Sequence, residues 1–202
     1  MISHLSALAG AVLAVYDEVD DAVRRLRVES GLVCTTGCGA CCGTQSVECR
    51  VLELLPLALW LWSSGRGESM LEQIEACGPE SFCVLYDPAP SETAPGHCTC
   101  YPYRPVVCRL FGSGAIVGRH GFVVATCAEM RQRQRDEVAC AEALSAAAPS
   151  VLVISNVCSR IAGLEPVLGT RRAPLKTALH AALCRIGMGM DLERDAAYDE
   201  VL

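Results

Sequence analysis

The sequence predicts a mainly helical α+β fold, with a small irregular core rich in cysteine and helices flanking it. Three observations carry this. Apolar residues recur at steps of three and four over residues 4–29, and helical patterning returns over 127–147 and 172–187. All periodicity breaks over residues 31–46 (GLVCTTGCGACCGTQS), where Gly37, Gly39 and Gly43 mark tight turns. The β-prone runs between them are short.

The elements follow in order. Over 4–29 the residues Leu5, Leu8, Val12, Val15, Val19, Val23 and Leu26 form one stripe, which predicts a helix packed on the rest of the chain. After the cysteine loop, residues 48–63 read as a helix in which Pro56 is tolerated at a kink or near the start. A further helix over Glu68 to Ala76 stops at Gly78–Pro79. Residues 82–86 (FCVLY) read as a strand and 87–97 as a turn-rich loop. Pro102 and Pro105 forbid a regular helix over 98–112. Ala115 to Ala125 predicts a hairpin turning at Gly118–Gly121, and Cys127 to Ala147 an Ala-rich helix. Ser150 to Ser155 (SVLVIS) reads as a strand or buried turn, 172–187 as a last helix and 190–202 as an acidic tail. The expected organisation is an N-terminal amphipathic helix over 1–30, a cysteine-bearing domain over 31–135 and a helical extension over 136–202 packed on it.

Composition narrows the function. The 202 residues are 51% hydrophobic and 20% charged, enough apolar surface for a core and against disorder. A net charge of −6 argues against a nucleic-acid partner, which would want a basic face. The run Leu54 to Trp62 (LLPLALWLW) is under half the roughly 20 residues a bilayer needs, so no membrane span is expected. Residues 1–10 carry no Lys or Arg ahead of their apolar stretch, and Asp17, Glu18, Asp20 and Asp21 follow. That reads against an export signal and predicts a reducing, cytoplasmic setting in which thiols stay free.

Fourteen residues are cysteine, short of the roughly 8–10% that marks small disulfide scaffolds. Cys34, Cys38, Cys41 and Cys42 fall within nine residues. Ligands two or three apart on a tight loop converge at low closure cost, and intervening glycines let backbone N–H groups approach sulfur. Successive side chains diverge, so Cys41 and Cys42 are placed to serve two sites. A second set comprises Cys98, Cys100 and Cys108, with Cys83 upstream and Cys127 downstream. Arg104 and Arg109 stand where guanidinium groups would offset thiolate charge.

These residues resemble the CxxCxxCC cysteine-cluster proteins, the YkgJ family of zinc- or iron-chelating domains. The resemblance rests on CTTGCGACC at 34–42, FCVLYD at 82–87, GHCTCYPYRPVVCRLF at 96–111 and Cys127 with the residues after it, and covers about 30–135. It implies metal ligation by Cys34, Cys38, Cys41, Cys42, Cys83, Cys98, Cys108 and Cys127, with Arg104, Arg109 and Tyr101 around them. One departure stands: three residues, not two, separate Cys34 from Cys38. Cys49, Cys77, Cys140, Cys158 and Cys184 have no counterpart and read as small buried hydrophobes; Cys100 is open between the two roles. The family is similar to part of the longer flagellin lysine-N-methylases.

An all-sulfur donor set suits zinc or an iron–sulfur cluster (4Fe-4S) and excludes Mg or Ca. Dense cysteine clusters lean toward iron–sulfur, whereas structural zinc usually takes two separated pairs. The core is therefore expected to be metal-centred, holding one or two clusters or ions. The expected role is electron transfer or support of a protein-modifying enzyme. Two alternatives are an enzyme using the centre for redox or methyl-transfer chemistry and a structural zinc domain that binds a partner protein. The spacing Cys34-x3-Cys38-x2-Cys41 is also that of radical S-adenosylmethionine enzymes, but Ala40 stands where those place an aromatic residue. Tyr101, Tyr103 and Phe111 are expected to pack around the site and keep it dry, and His97 to donate to it or sit exposed. Trp60 and Trp62 are expected in the core.

Overall fold

α1 (Ile2–Ser30) buries the stripe read from its sequence, Leu5 through Leu26. The computed structural model describes residues 2–34, 39–43, 47–78, 81–88 and 96–199. α1 ends where Gly31 takes a positive φ of 72°, which only glycine adopts at little cost. The Gly31 N–H donates to the Arg27 carbonyl, while Ser30 Oγ donates to Leu26 and accepts from the Leu32 N–H. By length and mean hydropathy α1 is long and apolar enough to cross a bilayer, the one such helix among the described residues. In this fold its stripe lies in the core cluster.

The helix expected over 48–63 divides. Glu48–Arg50 is a strand, β1, followed by a 3-10 turn at Leu52–Leu54 and then α2 (Leu55–Ser63). Pro56 explains where α2 begins: its ring suits the first turn but would clash with a preceding one. α3 (Gly67–Ala76) stops at Cys77, as the Gly78–Pro79 signal predicts. Trp62 joins these helices to the C-terminal end. Its indole N–H donates to the Leu183 carbonyl at 2.9 Å, and a Cβ at Gly67 or Gly187 would overlap its ring.

The strand expected at 82–86 is displaced: Cys83 and Val84 precede the turn into β2 (Tyr86–Asp87), which pairs antiparallel with β3 (His97–Cys98). A 3-10 turn at Tyr101–Tyr103 follows, then α4 (Val106–Leu110). The prolines act as expected up to Pro105, but it then serves as the N-cap of this five-residue helix. The hairpin forms as predicted, β4 (Ala115–Gly118) against β5 (Gly121–Val124).

The helix expected over 127–147 breaks at Gln134 into α5 (Ala128–Arg133) and α6 (Arg135–Ala147). The Gln134 amide accepts from the Val33 N–H and donates to the Val33 carbonyl, both at 2.8 Å, anchoring the chain entering the cysteine loop. SVLVIS is not a strand. α7 (Pro149–Leu152) and α8 (Ile154–Leu164) meet at Val153, which makes a single parallel bridge to Ala115. Leu152, Val153, Val157 and Ile161 are buried, so tertiary packing overrides β propensity here. α9 (Pro166–Thr170) leads to β6 (Arg172–Pro174), antiparallel to β1 in the register Cys49↔Ala173. α10 (Leu175–Asp199) continues as helix through much of the expected acidic tail. One core cluster gathers α1, α2, α8 and α10. The fold is mainly helical α+β, with only short strand pairs.

Candidate metal centre

Four cysteines from separate parts of the chain share one neighbourhood. Cys42 stands in the 3-10 turn Ala40–Gly43, Cys83 before β2, Cys98 in β3 and Cys108 in α4. Each of these thiols acts electrostatically on the others. Burial pushes Cys108 up to about 12, with Cys83, Cys42 and Cys98 adding to the shift and Arg104 opposing it. Cys42 is likewise pushed up to about 12, by burial and then by Cys41, Cys98 and Cys83. Cys83 and Cys98 are raised chiefly by burial. Crowded thiols without a cation resist ionisation, since each thiolate would repel the next. Ionisation of the metal-free protein is expected to be unfavourable in the fold relative to the unfolded chain. Stability should therefore hold below the ordinary thiol value of about 8.5 and fall as pH rises toward the folded values. Chemical denaturation of metal-free protein across this range checks the sign.

Local backbone supports the sulfurs. The Leu85 N–H bonds to the Cys83 sulfur and the Cys100 N–H to the Cys98 sulfur, each lowering the thiol's value. An N–H two residues on from a sulfur disperses thiolate charge, whether or not the thiolate is bound. Strand pairing holds these two turns together: Tyr86 faces Cys98 in register, and Thr99 donates through N–H and hydroxyl to the Leu85 carbonyl.

A glycine contact seats the Cys41–Cys42 turn beside this hairpin. A Cβ at Gly39 would overlap the Gly96 carbonyl and press on the Tyr86 ring at 3.1 Å. Gly39→Ala is accordingly expected to separate the two loops and cost about 1–3 kcal/mol, measurable as a lowered midpoint in denaturant.

The other predicted residues fall as follows. Cys41 and Cys34 are exposed. Cys38 lies outside the described residues. Cys127 is the N-cap of α5, its sulfur accepting from the Met130 N–H at 3.5 Å. Arg104 is beside the thiols: it acts on Cys98 and Cys108 and donates to the Tyr101 and Cys108 carbonyls. Its guanidinium stacks 3.3 Å from the Tyr101 ring centroid, and Tyr101 is otherwise exposed. Arg109 turns elsewhere. It is buried, pairs with Asp20, donates to the Pro102 carbonyl and lies over the Tyr16 ring, so it braces α4 against α1. Tyr103 stacks near Trp60, with ring centroids 5.2 Å apart, while Phe111 and His97 are exposed.

Further cysteines join this region, Cys77 through its action on Cys83 and two that are buried. Cys49 is 2% exposed and within electrostatic reach of Cys108 and Cys83; Cys100, equally buried, acts on Cys83 and Cys98. The Cys98-x-Cys100 spacing hints at Cys100. Nothing local marks Cys49, because β1 forms only by pairing with β6. Glu53 sets the height of α4. Its buried carboxylate accepts from the Val106 N–H at the start of that helix and from the Arg50 N–H.

None of the described cysteines forms a disulfide. Among the described residues, no three His, Cys, Asp or Glu side chains converge tightly enough to form a ready metal cage. The donor chemistry nonetheless fits a soft cation: sulfur only, half-buried, with N–H groups turned toward two of the sulfurs. A cleft of about 290 Å³ abuts the same strands, lined by Arg66, Ser69, Gln73, Tyr86, Asp87 and Thr99 among others.

Fold and site together define a cysteine-rich, mainly helical α+β protein in which Cys42, Cys83, Cys98 and Cys108 lie within electrostatic reach of one another beside one hairpin. No family model, curated protein or solved structure matches the chain.

Proposed function

We propose that this chain binds metal through its cysteine thiolates, as the motif resemblance implies, and that the metal is iron in an iron–sulfur cluster. The observation that carries the reading is that Cys42, Cys83, Cys98 and Cys108 lie within electrostatic reach of one another, although the described residues do not converge to coordinating distance. A cation bound there would reverse the cost of gathering four thiols, because each would bind as thiolate and release its proton. Cys34, Cys38, Cys41 and Cys127 are the further ligands that the resemblance adds. Arg104 would offset residual negative charge beside Cys98 and Cys108. The role that fits is electron transfer, or support of a protein-modifying enzyme, in a reducing cytoplasm.

The test is oxygen-free purification followed by metal analysis and a visible spectrum. Brown protein with iron and acid-labile sulfide is expected. Colourless protein with stoichiometric zinc would overturn the iron assignment and retain the thiolate site; protein with neither, after metal supplementation, would overturn both. A second reading, an enzyme that uses the centre on a substrate, is favoured by the cleft beside β2 and β3.

A further inference from the structure

α3 and α10 bring together a second group of reactive side chains. His180 and Cys184 stand one turn apart on α10, with the sulfur 3.7 Å from His180 Nδ1 and 3.9 Å from Nε2. Glu75 of α3 places Oε1 3.7 Å from the same Nε2. Neighbouring contacts hold the two helices in place. Lys176 Nζ donates to the Gly78 carbonyl just past α3, and the Trp62 indole donates to Leu183, beside Cys184. Cys184 is half-buried, while Glu75 and His180 reach solvent.

We propose that Cys184 is a nucleophilic thiol, with His180 as its base and Glu75 orienting the imidazole, and that it is a site of thiolation by low-molecular-weight disulfides. The arrangement sets nucleophile, base and orienter in sequence, each 3.7 Å from the next. With Nε2 facing the carboxylate, Nδ1 is the nitrogen left to take the thiol proton. Backbone N–H groups around Cys184 are engaged in the helix and form no oxyanion hole, so acyl transfer is disfavoured. Thiol–disulfide exchange needs none. The Cys184 proton passes to His180, and the thiolate attacks one sulfur of R–S–S–R. A new Sγ–S bond forms as the old S–S bond breaks, and the departing thiolate takes the proton back from His180 as R–SH. The low-molecular-weight disulfide is the oxidant: its departing sulfur is reduced to R–SH, while Cys184 is oxidised to the mixed disulfide.

The chain holds its own control. Cys140 on α6 is exposed, more so than Cys184, and no histidine contact is seen at its sulfur among the described residues. The full chain is incubated with glutathione disulfide and initial rates of mixed-disulfide formation are read at each cysteine by peptide mass mapping. Cys184 is expected to react at least about tenfold faster than Cys140, within what general-base assistance supplies. His180→Gln should remove that advantage and Glu75→Gln should cut it several-fold, with the Cys140 rate unchanged in both as the gauge of an intact fold. Cys140 reacting as fast as Cys184, or His180→Gln leaving the Cys184 rate unaltered, would overturn the proposal.

Discussion

On the proposed metal-binding reading, replacing Cys108 with serine is expected to strip metal from the protein and lower its stability, while Cys184→Ser leaves metal content unchanged. Cys108 stands on α4 with Cys42, Cys83 and Cys98 around it. Serine keeps the shape but supplies a hydroxyl that is no soft ligand at neutral pH. Because metal binding in such a site is also folding free energy, metal per chain should fall by at least about half. The unfolding free energy should fall by about 2–4 kcal/mol, in the range for loss of a metal contact. Cys184 sits on α10 beside His180, outside the group of thiols that act on Cys108. Metal analysis and denaturant midpoints on both variants decide the matter: equal losses would remove Cys108 from the ligand set.

The second large effect is expected at Glu53. Alanine there strands the Val106 and Arg50 N–H groups and leaves the half-buried Arg50 guanidinium without its carboxylate. Breaking a buried charge pair by removing one partner costs about 3–5 kcal/mol. α4 should also lose its anchor, and with it the position of Cys108. Glu53→Gln, which keeps an acceptor, should cost less. Burial raises the Glu53 carboxyl above its ordinary value despite the N–H and Arg50 contacts. Its contribution is therefore greatest below the unfolded carboxyl value, about 4.3, and declines as pH rises through the folded one. Stability curves of the native protein and Glu53→Gln between pH 4 and 7 should converge toward neutrality if this sign is right; a native curve rising with pH relative to the variant would contradict it.

What could be read from sequence was whatever is local. α1 announces itself because seven apolar residues recur on one stripe, and the β4–β5 hairpin because glycines bracket its turn. The cysteine spacings and the RPVVCR run at 104–109 single out a segment that the fold places beside Cys42 and Cys83. What depends on distant partners was not legible. β1 is three residues long and exists through β6, so Glu48–Arg50 reads as the start of a helix and Cys49 as an unplaced thiol. SVLVIS carries β-branched residues, yet burial of Val157 and Ile161 makes it helical. Arg109 shows the same limit at the level of a side chain. Its neighbours in sequence suggest thiolate charge, but Asp20 and Tyr16, roughly ninety residues upstream, draw it to α1.

The pairing of Glu48–Arg50 with Arg172–Pro174 ties together segments roughly 120 residues apart, a span whose closure entropy must be met before the ladder returns anything. The hairpin and turn carrying Cys42, Cys83, Cys98 and Cys108 can assemble over a shorter stretch, whereas Cys49 must wait for the far segment to arrive. Refolding should thus proceed in two kinetic stages, an early gathering of thiols and a slower docking of the segment that carries β6 onto β1.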